Sequence, residues 1–286
     1  MPLTQNSYGK SAIRLTKVVR NGPRHTLFEI DAAIQLEGAF EAAYTHGDNT
    51  ATIATDSMKN TVYVLAKETQ FDSIEQFAPV LAGHFVATYP QVTRAAVTLT
   101  QATWQRMTSG GKEHDHAFVA AGAHERVAIA VATRADITLT GGVRGLRVMK
   151  TTDSQWHTFV TDRYRTLKDS FDRILATQID ADWTFNVPAD AFASTDFDAA
   201  DTMIRTAILD TFAGHFSLGV QQTLLAMGEA VLIACPIIDS IHFTLPNLHR
   251  IPFNLEPFGL KFENDIYVAT DEPHGLIQGT VNREKR

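Results

Sequence analysis

The chain has 286 residues, enough for two average domains at roughly 150 residues each, and its 44% hydrophobic and 20% charged content excludes a disordered chain. Asp and Glu (32) outnumber Lys and Arg (25) for a net charge of −7. That balance excludes the basic footprint of a nucleic-acid binder, and it requires any anionic ligand to be held by locally placed cations.

No window approaches about 18 uninterrupted apolar residues, so no membrane span is expected. Cys235 is the one cysteine, set among Ile233, Ala234 and Pro236. It can form neither an internal disulfide nor a thiolate metal cluster, and its neighbours suggest a buried, inert thiol. The segment Met1-Pro2-Leu3-Thr4-Gln5-Asn6-Ser7 lacks a secretory layout, and Arg283-Glu284-Lys285-Arg286 is not a peroxisomal address. A cytoplasmic protein is expected.

Taken in chain order, Ile13 and Leu15 alternate with Arg14 and Thr16, and Phe28, Ile30, Ala32, Ile34 and Leu36 alternate with polar residues. With the turn Asn21-Gly22-Pro23 between them, the two runs predict a long antiparallel hairpin. Met58, Thr61, Val62 and Leu65 then fit one face of a short helix beginning near Ser57. Ile74, Phe77, Leu81 and Phe85 fit a second helix, opened by Ser73 with Gln76 three residues on, a capping-box spacing. Pro79 lies inside that run and predicts a kink or a displaced start. Val97 and Leu99, then the alternation of Val127, Ile129 and Val131 with Ala128, Ala130 and Ala132, predict a second strand pair. A loop containing glycine and histidine is expected between them, from about Ser109 to His124.

The second half repeats this order. Ile137, Leu139, Val143 and Val148 mark a strand interrupted by Gly141-Gly142, and Leu175 to Phe185 form a long alternating run. Phe197 to Phe212 have helical spacing and stop at Gly214, and another helix is expected from Ser217 towards Cys235. Ile241, Phe243 and Leu245 alternate again, and Ile266 to Ala269 is the last strand candidate. The chain therefore reads as two ββααββ units, over residues 1–135 and 136–286.

His114-Asp115-His116, beside Glu113 and His124, has the look of a metal cluster, but no companion ligand pair accompanies it, and it reads as structural. The glycine pairs at 110–111 and 141–142 lack a phosphate-loop context. Five segments are more informative: Tyr8-Gly9-Lys10, Ala54-Thr55-Asp56-Ser57-Met58-Lys59-Asn60-Thr61, Asp172-Arg173-Ile174-Leu175-Ala176-Thr177, Val220-Gln221-Gln222-Thr223 and Leu245-Pro246-Asn247-Leu248-His249. In that order and spacing they resemble urate oxidase (uricase), and the resemblance covers the chain from Tyr8 to Gly275-Leu276-Ile277.

The resemblance implies an α+β tunnelling fold (T-fold): two ββααββ units with antiparallel sheets, and an oligomeric β-barrel tunnel with helices outside. It implies a cofactor-free, metal-free oxidation of urate by dioxygen to 5-hydroxyisourate and hydrogen peroxide. Lys10 and Thr55 take the place of the catalytic pair, and His249 joins their proton relay. Asp56 offers backbone contact, Trp156 stacks on the purine, Arg173, Val220 and Gln221 hold its edge, and Asn247 holds dioxygen or water. A planar guanidinium suits an anionic purine through two parallel hydrogen bonds. The implied assembly is a homotetramer with each site shared between neighbouring chains.

Without the resemblance, Lys10 and Arg173 read as solvated strand ends, Thr55-Asp56 as a helix cap and Gln221 as an exposed polar residue. Two positions depart from the family pattern: Trp156 replaces the usual phenylalanine, and Leu248 replaces a lysine and so removes a cation next to the site. The alternatives are a zinc-dependent T-fold enzyme acting on pterins, and a non-catalytic purine-binding T-fold protein.

Overall fold

A computed structural model of the chain describes residues 3–284; Met1-Pro2 and Lys285-Arg286, the outer ends of the two terminal segments considered above, lie outside the described residues. The chain divides into two compact units. One is the chain up to Arg144 together with Trp183–Ala200, and the other is Gly145–Asp182 together with the chain from Asp201 onward.

In the first unit, β1 (Tyr8–Asn21) and β2 (Arg24–Gly38) form the expected hairpin, with Leu15 opposite Ile30 and Ile13 opposite Ala32. The turn glycine, Gly22, has φ +72, a left-handed conformation that glycine adopts at no steric cost. A five-residue helix, α1 (Glu41–Thr45), precedes α2 (Thr55–Glu68) and α3 (Ile74–Thr88). Ser73 caps α3 by accepting from the Gln76 N–H at 3.4 Å, and the Gln76 side chain accepts from the Asp72 N–H at 2.8 Å. Pro79 lies within α3 and is buried, and the helix start is not displaced.

Strands β3 (Val92–Ser109) and β4 (Lys112–Thr133) complete a continuous antiparallel order β1-β2-β3-β4. The expected loop from Ser109 to His124 is not a loop. Only Gly110-Gly111 turns, and β4 continues the pairing with Ser109 opposite Lys112 and Trp104 opposite Ala120. Alternation there is masked because both faces of the outer ribbon are partly exposed, so no apolar face is imposed on its sequence. On the inner part of β4, Ala128, Ala130 and Ala132 are fully buried while Ile129 and Val131 are only half-buried. The small side chains leave room for α3, which packs across β3 and β4 with Phe77, Leu81 and Phe85 fully buried. Each such fully buried side chain contributes about 1.5–3 kcal/mol.

The strand β5 (Ile137–Lys150) runs through Gly141-Gly142 without the expected interruption. Gly141 has a packing reason instead: a Cβ there would lie 2.3 Å from Nε1 of the buried Trp183.

The second unit holds most of β6 (Leu175–Phe185) and all of β7 (Ile238–Pro246) and β10 (Leu276–Asn282), neighbours in that order. The helices are α4 (Phe197–Gly214) and α5 (Val220–Ala234), each belonging wholly or mainly to this unit. The strand foreseen at Ile266 to Ala269 is β9 (Tyr267–Thr270). It pairs with β8 (His249–Pro252) in a separate two-stranded ribbon, and the partner of β7 is β10, which the alternation did not reveal. Gly279 sits at the centre of β10, where a missing side chain weakens the strand signal. The glycines at this contact are spatially required. A Cβ on Gly228 of α5 would lie 2.4 Å from Val281, and one on Gly279 would lie 3.0 Å from Leu224.

Arg283 closes the C-terminal end of α5 by donating from Nη2 to the carbonyls of Leu232 at 2.7 Å and Cys235 at 3.0 Å. Cys235 is fully buried, and burial pushes its thiol up from the ordinary value. Among the described residues no helix is long and apolar enough to cross a membrane.

Candidate active site

The expected residues fall into two groups, one in each unit. In the first unit Lys10 is half-buried on β1, opposite Ile34, at the last regular rung before the pairing shifts between Lys10 and Ile13. Ala12 has φ +56 inside that bulge, and such a conformation in a non-glycine residue costs on the order of 1 kcal/mol. A bulge re-aims the side chains beside it.

Thr55 and Asp56 are the first two residues of α2, whose N-cap is Ala54. The capping role read from sequence is therefore corrected: the cap lies one residue earlier, and it is alanine, with no side chain to satisfy the N–H groups of the first turn. Those groups point out of the helix as donors. Thr55 is half-buried, and among the described residues no hydrogen bond takes up its hydroxyl. The Asp56 carboxylate is committed to its own helix, accepting from Lys59 at 2.5 Å and Asn60 at 3.0 Å. The Lys59 hydrogen bond and charge, with a smaller contribution from Lys10, hold that carboxyl below the usual range. The backbone of Asp56 is what remains for a ligand.

In the second unit, residues 153–156 are a splice between two distant segments. Ser154 bridges Ser217, with the Gln155 N–H donating to the Ser217 carbonyl at 2.7 Å and the Ser217 N–H to the Asp153 carbonyl at 2.9 Å. On the other side, the Arg173 N–H donates to the Ser154 carbonyl at 2.9 Å, and Trp156 and Ser170 exchange two backbone hydrogen bonds. These bonds bring Trp156, Arg173 and the start of α5 together. Ser217 does not open α5; Gly219 is its N-cap. The Ser217 hydroxyl instead accepts from Thr223 at 2.8 Å and donates to the Gly219 carbonyl at 3.2 Å, inside a fully buried polar knot. The sequence assigned no role to Ser154 and Thr223, because isolated hydroxyl residues carry no periodic signal.

The Trp156 ring is stacked on Phe159, with centroids 5.5 Å apart and planes 14° apart. Phe159 is in turn covered by the Arg165 guanidinium at 4.1 Å. Arg165 also donates to Thr161, to the Leu167 carbonyl and to Asp169, so the stack rests on a fixed backing. Gly219 meets the indole edge: a Cβ there would lie 3.0 Å from Cζ3 of Trp156. One face of the indole packs against Phe159, and the residue as a whole is half-buried.

The Arg173 guanidinium carbon is 5.9 Å from the Trp156 ring centroid. Its Nε is buried without a hydrogen-bond partner, and among the described residues no carboxylate pairs with the side chain. Burial pushes its pKa down from the ordinary arginine value. At the start of α5, Val220 is buried and Gln221 is exposed. The Gln222 side chain is engaged, accepting from the Leu218 N–H at 3.0 Å, whereas the Gln221 amide makes no hydrogen bond among the described residues.

Asn247 bridges Thr177 and donates its N–H to the Gly275 carbonyl at 2.8 Å, while the Leu248 N–H donates to the Ala176 carbonyl at 2.9 Å. Asn247 and His249 are thereby laid along the segment that begins at Arg173, both half-buried, with Leu248 turned into the core at 8% exposure. The departure at Leu248 is a buried apolar side chain on the opposite side of the strand from Asn247 and His249. His114 and His116 lie in β4 with rings 4.6 Å apart, and among the described residues no group of three His, Cys, Asp or Glu is placed to hold a metal ion.

The uricase family model matches residues 6–131 and 139–278. A uricase of Arthrobacter globiformis is 40% identical over 282 residues, covering 99% of this chain and 90% of the relative. A uricase of Dictyostelium discoideum is 34% identical over 285 residues, covering 98% of this chain and 97% of the relative. The crystal structure of the Arthrobacter globiformis uricase superimposes with a TM-score of 0.92 at 40% identity, over 100% of this chain and 96% of that one. Urate oxidase of Bacillus sp. TB-90, at 20% identity, shares the fold with a TM-score of 0.87 over 97% of this chain and 100% of that one. The chain belongs to the uricase family of enzymes and has the family's α+β tunnelling fold.

Proposed function

We propose that the chain oxidises urate with dioxygen and water to 5-hydroxyisourate and hydrogen peroxide, in the cytoplasm and without a cofactor or metal. The observation that carries this reading is Arg173: a half-buried guanidinium without a carboxylate partner among the described residues, beside an aromatic face. Such a charge is compensated by a bound anion, and a flat one satisfies the indole as well. Urate, a planar purine anion, is that ligand. Arg173, the Val220 N–H and the Gln221 amide hold its edge, and Trp156 sets its plane.

Lys10 and Thr55 remove a proton from urate and pass it on, with His249 in the same relay. Asn247 holds dioxygen or water over the ring. The urate dianion supplies the electrons, so the protein's task is deprotonation, stacking and positioning. Lys10, Thr55 and Asp56 of one chain would complete the site with Trp156, Arg173, Val220, Gln221, Asn247 and His249 of its neighbour in a homotetramer.

Chelator-treated protein is expected to consume urate and oxygen while releasing peroxide. Activity lost on chelation and restored by zinc or copper would overturn the cofactor-free mechanism.

A further inference from the structure

Tyr8 joins the strand that carries Lys10 to the loop that delivers Thr55, a contact spanning 45 residues of sequence. Its hydroxyl accepts from the Ile53 N–H at 2.7 Å and donates to the Ile53 carbonyl at 3.2 Å. One phenol thus satisfies both backbone groups of a single loop residue. Ile53 is buried at 6% exposure, so the loop is anchored in the core as well as pinned. The Tyr8 ring is braced edge-on against Phe40, centroids 4.8 Å apart, and Phe40 is fully buried.

Tyr8 lies two residues before Lys10, and Ile53 lies two residues before Thr55. The intervening Gly9 draws β1 hard against β2, since a Cβ there would lie 1.7 Å from the Ile34 carbonyl oxygen. The bulge at Ala12 then releases the ladder. Burial pushes the Tyr8 phenol up from its ordinary value, against the opposing pull of the Ile53 hydrogen bond.

We infer that Tyr8 is a positioning residue for the chemical step: its hydroxyl, through Ile53, sets the placement of Thr55 relative to Lys10. The inference rests on the reading of Lys10 and Thr55 as the proton-relay pair. The residues assigned to hold the edge and set the plane of urate lie in the other unit, and the Asp56 backbone is the one assigned contact on this side, so loosening this pin acts on turnover more than on affinity. Misplacement of a reacting group by 1 Å can cost about 10²-fold in rate.

The experiment compares the full chain with Tyr8→Phe, Lys10→Met and the double variant, reading kcat and KM for urate, the affinity of a non-oxidisable purine analogue, and the thermal midpoint. The Tyr8→Phe variant is expected to lose about tenfold or more in kcat with KM and analogue affinity within about twofold. In the Lys10→Met background the same change is expected to cost nothing further, because residues acting as a unit are not additive. Full turnover in Tyr8→Phe beside a crippled Lys10→Met overturns the inference and spares the relay. An equal, additive loss in both backgrounds, tracking a lowered thermal midpoint, also overturns it, since that is a stability effect. Full turnover in Lys10→Met overturns the relay reading, and the inference with it.

Discussion

The guanidinium of Arg173 lies 5.9 Å from the ring centroid of Trp156, and the two residues are joined through the backbone of Ser154 and Ser170, with no carboxylate between them among the described residues. A charge held this way gains little from the fold around it. Arg173→Ala is expected to weaken binding of urate or a purine analogue by about 10–100-fold, the worth of hydrogen bonds to a charged group. Its thermal midpoint should be unchanged or raised, because a partly desolvated charge has been removed. Arg173→Lys should not restore affinity, as an ammonium cannot make two parallel bonds. Isothermal titration and thermal unfolding check both halves; a large drop in stability would make Arg173 a structural residue.

The Trp156 indole, backed by Phe159 and edged by Gly219, offers one plane to a ligand. Trp156→Phe is expected to retain activity with modestly changed affinity, aromatic stacking being worth about 0.5–1.5 kcal/mol beyond burial. Gly219→Ala places a methyl group at 3.0 Å from the ring edge and should tilt it, weakening binding with little effect on folding. Quenching of tryptophan fluorescence by a urate analogue, read in wild type and Trp156→Phe, shows whether the indole is on the purine. Unchanged quenching in the variant would remove Trp156 from the site.

If each site is shared between neighbouring chains, Thr55→Ala and Arg173→Ala, each impaired alone at limiting urate, should regain part of the activity when co-expressed. One intact half from each chain then meets at a mixed interface. Mixed oligomers without recovered activity, or a monomer in sedimentation, would refute a shared site.

Gly141→Ala is expected to lower stability by about 1–3 kcal/mol, the cost of overpacking a filled core, because its Cβ would press 2.3 Å from Nε1 of Trp183. Denaturant unfolding followed by intrinsic fluorescence measures it. A variant as stable as the parent would mean that β6 yields freely at Trp183.

Cys235 is buried and its thiol pKa is raised by that burial, so the native protein should resist an aromatic disulfide reagent at pH 8 and react fully in denaturant. The unfolded thiol ionises near pH 8.5 and the folded one higher. The stabilisation is therefore complete below the unfolded value and is lost as pH rises through the folded one. Replacing Cys235 with Ala should flatten the fall in stability above pH 8.5. Rapid labelling of the native protein would contradict the buried placement.

Alternation and helical spacing carried much of the architecture. Ile13, Leu15 and the Phe28–Leu36 run became β1 and β2, the Ser73–Gln76 box became the start of α3, and Leu175–Phe185 became β6, because burying one face of an element writes its period into the chain. The same cause explains what was illegible. The outer part of the β3–β4 ribbon buries neither face, β10 has Gly279 at its centre, and both escaped the pattern. For the site, motif order picked out Lys10, Thr55, Arg173 and Gln221. Only the folded chain determined that Gln221 is free while Gln222 is engaged, that Leu248 is buried, and that Trp156 leans on Phe159 and Arg165. Those outcomes depend on backbone hydrogen bonds between segments remote in sequence, Ser154 with Ser217 and Tyr8 with Ile53, and bonds of that kind leave no periodic trace in the residues they join.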